Sequence, residues 1–205
     1  MRIAKVNAGH WKDGGSGPGF NKRYEFAGDL VDAGKVAISF LDADGHPFHK
    51  TLKTKQIKNL SKNDIKEGYL KEGSSENKAD NRASQLVRFR DWPIGTPLFL
   101  YLGRNMVYRV GYIKGEYEFD WNGDFHGPES NYNHPHVREV EWADAPELFS
   151  RKKLPEDFQG WIKHQQTAID YDVEPGSDAA DFLALAFGIG RSLSGMGEAE
   201  LRVLR

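Results

Sequence analysis

Residues 81–103 read NRASQLVRFRDWPIGTPLFLYLG, residues 104–121 continue RNMVYRVGYIKGEYEFDW, and residues 134–142 close with HPHVREVEW. Ala83, Leu86 and Val87 fall at helical spacing. Pro93, which lacks an amide hydrogen, bars that helix from continuing. Pro97-Leu98-Phe99-Leu100-Tyr101-Leu102 is an unbroken apolar run, the pattern of a strand covered on both faces. Gly103-Arg104-Asn105 has the chemistry of a hairpin turn, so Met106 to Ile113 is expected as the partner strand. From His136 to Trp142 the residues alternate, with Val137, Glu139 and Glu141 on one phase and His136, Arg138, Val140 and Trp142 on the other. A helix, a turn and three strands predict an α+β fold.

Upstream, Ile3-Ala4-Lys5-Val6 predicts a short opening strand that runs into Asn7-Ala8-Gly9-His10-Trp11. Gly14, Gly15, Gly17 and Gly19 then give a backbone with many reachable N–H groups. Their spacing is not that of a dinucleotide fingerprint, no helix is expected after them, and the Lys-Ser/Thr end of a P-loop is absent. The segment reads either as a surface loop or as a loop that orders on a phosphate backbone. Val36 to Leu41 predicts a strand, Asp42-Ala43-Asp44-Gly45 a turn too short for a calcium loop, and Pro47 to Leu52 the return strand. Ser61 caps a turn of helix reaching Ile65.

Downstream, residues 122–135 form a long polar loop, and loops of that length are often functional. Leu154 to His164 predicts a short helix and Gln165 to Tyr171 a last strand. Gly176-Ser177-Asp178 caps a helix from Ala179 to about Phe187, whose apolar face should pack on the rest. Gly188 to Arg205 reads as a linker. The expected organisation is a domain over residues 1–171 and a C-terminal helix and linker over 172–205.

Composition narrows the function. Of 205 residues 39% are hydrophobic and 12% aromatic, which suffices for a core and leaves aromatics for stacking on a base. There is no cysteine, so disulfides, thiol nucleophiles and Cys-ligated zinc are excluded. No apolar run reaches membrane-spanning length and the N-terminus lacks a signal pattern, so the expected location is the cytoplasm. A net charge of −2 means that nucleic acid would be met through a local basic face. Two segments qualify: Lys50, Lys53, Lys55 and Lys58, continuing to Lys62 and Lys66, and the group Arg82, Arg88 and Arg90. Either is equally readable as a solvated surface.

The order of these elements resembles the PUA-like superfamily, and within it the EVE/YTH group of modified-base readers. It is most similar to EVE domains of modification-dependent restriction systems. The resemblance rests on Asn81-Arg82-Ala83 with Leu86, Ile94-Gly95, Arg109-Val110-Gly111 leading to Tyr117-Glu118-Phe119-Asp120, and Val137 to Trp142. Leu154-Pro155 and Gln165 to Ile169 complete it. It implies a curved, mostly antiparallel β-barrel with flanking helices that takes a flipped base into an aromatic pocket. The implied walls are Asn7, His10 and Trp11; Tyr69 with Ser74, Ser75 and Glu76; and Trp121, Phe125 and Tyr132. YTH proteins place a Trp in the middle segment, where this chain has Gly73-Ser74-Ser75, so Trp11 or Tyr69 would supply that wall. Lys50, Lys53, Lys55, Lys58, Arg82 and Arg88 would contact phosphates. The implied partner is double-stranded DNA carrying methylated or hydroxymethylated cytosine, or methyladenine, with a nuclease on another domain or chain.

Two alternatives stay open at this level. PUA-like domains also read RNA, which would show as contacts to the 2′-OH. The second alternative is a metal-dependent nuclease that would use His126, His134, His136 and Asp120. His134 and His136 are two apart on an expected strand, so their rings would share a face, but no third ligand is placed. The Glu-x-Lys of carboxylate nucleases and the Gly-x-Ser-x-Gly of hydrolases are absent. The expectation is a reader without catalytic residues, metal or cofactor. Trp92, Trp142 and Trp161 are expected to be packing residues.

Overall fold

The computed structural model describes residues 2–9, 18–39, 54–103, 105–120, 134–144, 148–163 and 166–187. Its strands are β1 (Arg2–Asn7), β2 (Lys35–Ile38), β3 (Pro97–Gly103), β4 (Met106–Phe119), β5 (His136–Trp142), β6 (Phe149–Ser150) and β7 (Ala168–Asp172). Its helices are α1 (Pro18–Asp32), α2 (Thr54–Asn59), α3 (Lys62–Lys71), α4 (Glu76–Asp91), α5 (Glu156–Ile162) and α6 (Asp178–Phe187). The expected α+β class holds.

The strands form one mixed sheet in the order β2-β5-β4-β3-β1-β7, with β6 against the start of β4. β1 and β3 run parallel, with Asn7 opposite Tyr101, and every other pairing is antiparallel. The mostly antiparallel sheet was therefore legible. Among the described residues it is an open path with β2 and β7 at its ends, not a closed barrel. The expected return strand from Pro47 to Leu52 lies outside the described residues.

β3 explains why its sequence is apolar throughout. Leu98, Leu100 and Leu102 enter a core shared with α1 to α4, whereas Phe99 and Tyr101 enter a second core with α5 and α6. Phe182 and Leu183 of α6 join Ile3 and Phe99 there, as the apolar face predicts. Trp92 is buried, Trp161 packs on Phe158 and Tyr171, and Trp142 is half-buried against the main core. Gly111 is required where it stands. A Cβ there would lie 2.6 Å from the Glu141 carbonyl oxygen and 2.8 Å from the Trp142 ring.

Two elements differ from expectation. A helix does follow the glycines: α1 starts at Pro18, a residue suited to a first helical turn, and buries Phe26, Ala27 and Leu30 at helical spacing. β4 does not end at Ile113 but continues to Phe119 through an irregularity. Ile113 faces Val140 and Tyr117 faces Arg138, so four steps on β4 match two on β5.

Arg138 uses that irregularity. Its guanidinium is buried and donates at 3.0 Å to the carbonyl of Gly115 in the bulge and to those of Phe89 and Arg90. The last two are end carbonyls of α4, which have no partner inside the helix. Arg90 in turn donates to the carbonyls of Ile57 at 3.1 Å and Leu60 at 2.7 Å, where α2 ends.

We predict that Arg138→Leu strands these carbonyls at about 1–3 kcal/mol each, partly offset because a buried charge is removed. A net loss of about 3 kcal/mol corresponds to a melting temperature lower by roughly 6–12 °C in a domain of this size. Glu139→Gln, at the exposed neighbour, should melt within about 2 °C of wild type. Equal melting of the two variants would show that the guanidinium does not hold the helix.

Candidate functional site

β1 and β3 are the parallel pair of the sheet, and their carboxyl ends lie side by side at Asn7 and Tyr101. Strand parity puts Ile3, Lys5 and Asn7 on one face. Lys5 Nζ donates at 2.9 Å to the carbonyl of Gln166 and lies 5.5 Å from the centre of the Tyr101 ring. Asn7 Nδ2 donates at 3.2 Å to the same carbonyl. The Gln166 side chain reaches on, its Nε2 donating at 2.7 Å to Asn81 Oδ1 on α4. One helical turn later Gln85 Oε1 accepts from the backbone N–H of Thr167 at 2.7 Å and of Ala168 at 3.2 Å. A lysine and four amide side chains thus tie β1, α4 and the start of β7 together.

Arg23 closes the other flank. It is buried on α1, and its Nε donates to the carbonyl of Ala8, just past β1. Gly103, in a left-handed conformation at φ 91°, makes room for it: a Cβ there would sit 2.9 Å from the guanidinium. Burial, and then repulsion from Arg23, lower the Lys5 ammonium from 10.5 to about 7.

The middle segment forms a neighbouring group. Arg82 Nη1 donates at 3.3 Å to Ser74 Oγ, and its guanidinium lies 5.4 Å from the centre of the Tyr69 ring. Tyr69 is fully buried in the main core, so in this state it is a packed residue under a cation rather than an open wall. Ser75 occupies the N-cap position of α4, and Glu76 pairs with Lys66. A groove of about 460 Å³ runs past Lys66, Glu76, Asn77, Asp80 and Asn81. None of these five is aromatic, so the groove is a polar rim and offers no stacking surface.

His10, Trp11, Trp121, Phe125, Tyr132, His126, Lys50 and Lys53 lie outside the described residues. On either side of the span that holds Trp121, Phe125 and Tyr132, Asp120 N–H donates at 2.8 Å to the carbonyl of Pro135. His134, the first described residue after that span, packs on Phe26 of α1 with ring centres 4.7 Å apart. That contact is one helical turn from Arg23.

Lys58 pairs with Glu116 at 3.3 Å, while Lys55 falls in α2 and Arg88 stands 3.9 Å from Asp170 on β7. His134 and His136 do not share an open face: both are buried. His136 Nδ1 lies 2.7 Å from the Tyr117 hydroxyl and its ring stacks on that side chain. Burial raises the Tyr117 pKa, so the hydroxyl keeps its proton beside that ring. Asp120 is exposed. Among the described residues no group of three or more His, Asp or Glu is placed to hold a metal ion.

With this geometry in hand, comparison with known sequences adds one finding. The family described as Domain of unknown function (DUF8426) matches residues 29–167. The chain belongs to this family. The matched span holds Asn81, Gln85, Tyr101 and Gln166 but stops short of Lys5, Asn7 and Arg23. No curated protein and no solved structure matches the chain. Among the described residues no helix is long and apolar enough to cross a membrane.

Within this cluster, sequence reasoning named Asn7 as a site residue and did not group Lys5, Arg23, Asn81, Tyr101 and Gln166 with it. The available signal was Lys5 itself, a charge inside the apolar run Ile3 to Val6.

The Lys5 environment makes stability depend on pH. In the unfolded chain the amine stays protonated to about 10.5, whereas in the fold it is neutral above about 7. Between those values the unfolded state binds more protons, so folding stability rises with pH, by at most about 1.4 kcal/mol per unit. Below that window both states are protonated and the burial penalty is constant. Urea unfolding across the window should show this rise in wild type and lose it in Lys5→Met. An identical pH slope in both proteins would mean that Lys5 titrates normally.

Proposed function

We propose that this domain is a PUA-like reader of a modified base in DNA, working in the cytoplasm as the specificity module of a modification-dependent restriction or defence system. The observation that carries the reading is the cluster of Lys5, Asn7, Asn81 and Gln166 beside the Tyr101 ring at the carboxyl ends of β1 and β3. Asn and Gln side chains present a donor and an acceptor together, the chemistry that reads the edge of a base taken out of its stack. The cluster also lies where the resemblance puts the base pocket, at the loop that follows the first strand.

On this reading Trp11, Trp121, Phe125 and Tyr132 supply the stacking planes. The Asn and Gln side chains hold the base edge, Lys5 supports them from beneath through the Gln166 carbonyl, and the buried Arg23 charge favours an electron-rich base and its phosphate. Methylated cytosine, hydroxymethylated cytosine and methyladenine are the candidate ligands. Cleavage belongs to a nuclease on another domain or chain.

The test is a binding screen of oligonucleotides identical except for one modified base, in DNA and in RNA form. One modified DNA duplex should bind at least about tenfold tighter than its plain counterpart. Trp121→Ala should cost that duplex roughly 1–3 kcal/mol, the value of one stacking ring, and cost plain DNA much less. Equal binding of modified and plain duplexes would overturn the reading. Tighter binding of the RNA forms would move the domain to RNA.

A further inference from the structure

The sheet carries one more feature at the end where the amide cluster sits. Across four strands, Asn7 faces Tyr101, Tyr101 faces Val107 and Val107 faces Phe149. The chain then leaves β6 into a single 3-10 turn, Arg151–Lys153. Three strand spacings of about 4.8 Å put Phe149, two residues before this turn, about 14 Å across the sheet from Asn7.

The turn is braced. Arg151 N–H donates at 2.7 Å to the carbonyl of Asn105 at the hairpin tip, and Arg151 Nε donates to Asn105 Oδ1. Its Nη1 donates to the carbonyl of Gln159 on α5. Asn105 adopts a left-handed φ of 69°, and Ser150 Oγ accepts from the N–H of Lys152 at 3.3 Å. Arg151 is therefore a structural bolt, and it fixes the backbone that presents the next two side chains. Lys152 and Lys153 are both exposed. Fixing their backbone beforehand lowers the ordering cost that a flexible basic loop meets on binding.

We propose that Lys152 and Lys153 form a phosphate-contacting rim that engages the backbone of duplex DNA beside the base being read. The proposal rests on the reading of the domain as a DNA reader and names the surface that reading still requires. A protein of net charge −2 needs a local basic face. In the face expected from sequence, Lys58 pairs with the exposed Glu116, and Arg82 contacts Ser74 and Tyr69. The lateral offset of about 14 Å between the β1 and β6 strand lines corresponds to roughly four nucleotides at a rise of 3.4 Å each. Phosphate contacts carry no sequence information, so the rim supplies affinity and register while the amide cluster supplies selectivity.

The experiment compares wild type with the double variant Lys152→Gln/Lys153→Gln on modified and plain duplexes over a salt series. Melting temperature serves as the fold control and should not change. The variant should lose roughly tenfold or more in affinity at about 100 mM salt, by the same factor for both duplexes. The slope of log K against log salt should become shallower by up to about 1.8. Unchanged affinity and slope in the variant would overturn the rim, as would a loss confined to the modified duplex. Failure of wild type to bind any duplex would instead defeat the reading of the domain, and the rim with it.

Discussion

A single buried guanidinium holds the architecture together. Arg138 donates to the carbonyls of Phe89 and Arg90 and to that of Gly115, so it joins the end of a helix to an irregular point in the sheet. A buried charge is tolerated only where hydrogen bonds replace its water, and here three carbonyls do so. Burial lowers the Arg138 pKa, but the group starts so far above neutrality that it stays charged. The cost of its burial is offset by carbonyls that would otherwise be stranded in the core. The slip in the β4–β5 ladder thus has a structural role: it turns the Gly115 carbonyl toward Arg138.

Because α4 is fixed at its C-terminal end, its other end is placed as well. The helix has 16 residues and spans about 24 Å. Along that length Trp92 Nε1 donates at 3.3 Å to Asp170, Gln85 accepts from the start of β7, and Asn81 accepts from Gln166. Each contact lies further toward the carboxyl ends of β1 and β3. The amide cluster is thus the far end of a rod whose near end is Arg138. Its polar atoms are held by backbone on β1, α4 and the segment before β7, which keeps the cluster pre-organised rather than assembled on binding.

The parts of this fold that were legible from sequence are those where local pattern and burial agree. β3 is apolar throughout because helices cover both its faces, and Ser61 caps α3 through a capping box with Asp64. Illegible parts have specific causes. Glycines beside Pro18 disguised the start of α1 as loop, although Phe26, Ala27 and Leu30 carry the helical period. Lys114-Gly115-Glu116 breaks the alternation of β4, so the strand seemed to end at Ile113. Alternation also assigns Lys5 to solvent, but β1 lies between β3 and β7 and both its faces are covered. The site was legible only through Asn7, since Asn81 and Gln166 lie far apart in sequence and meet only once α4 docks on β7.

The central claim is that the carboxyl ends of β1 and β3 receive the ligand. Backbone amide NMR of the protein titrated with a preferred modified duplex tests it most directly. The largest shift changes should fall on Ala8, Gly9, Asn81, Gly103 and Thr167, with the plain duplex perturbing them much less. Changes centred instead on Ile94, Gly95 and Glu116, near the Arg138 end of α4, would contradict the account.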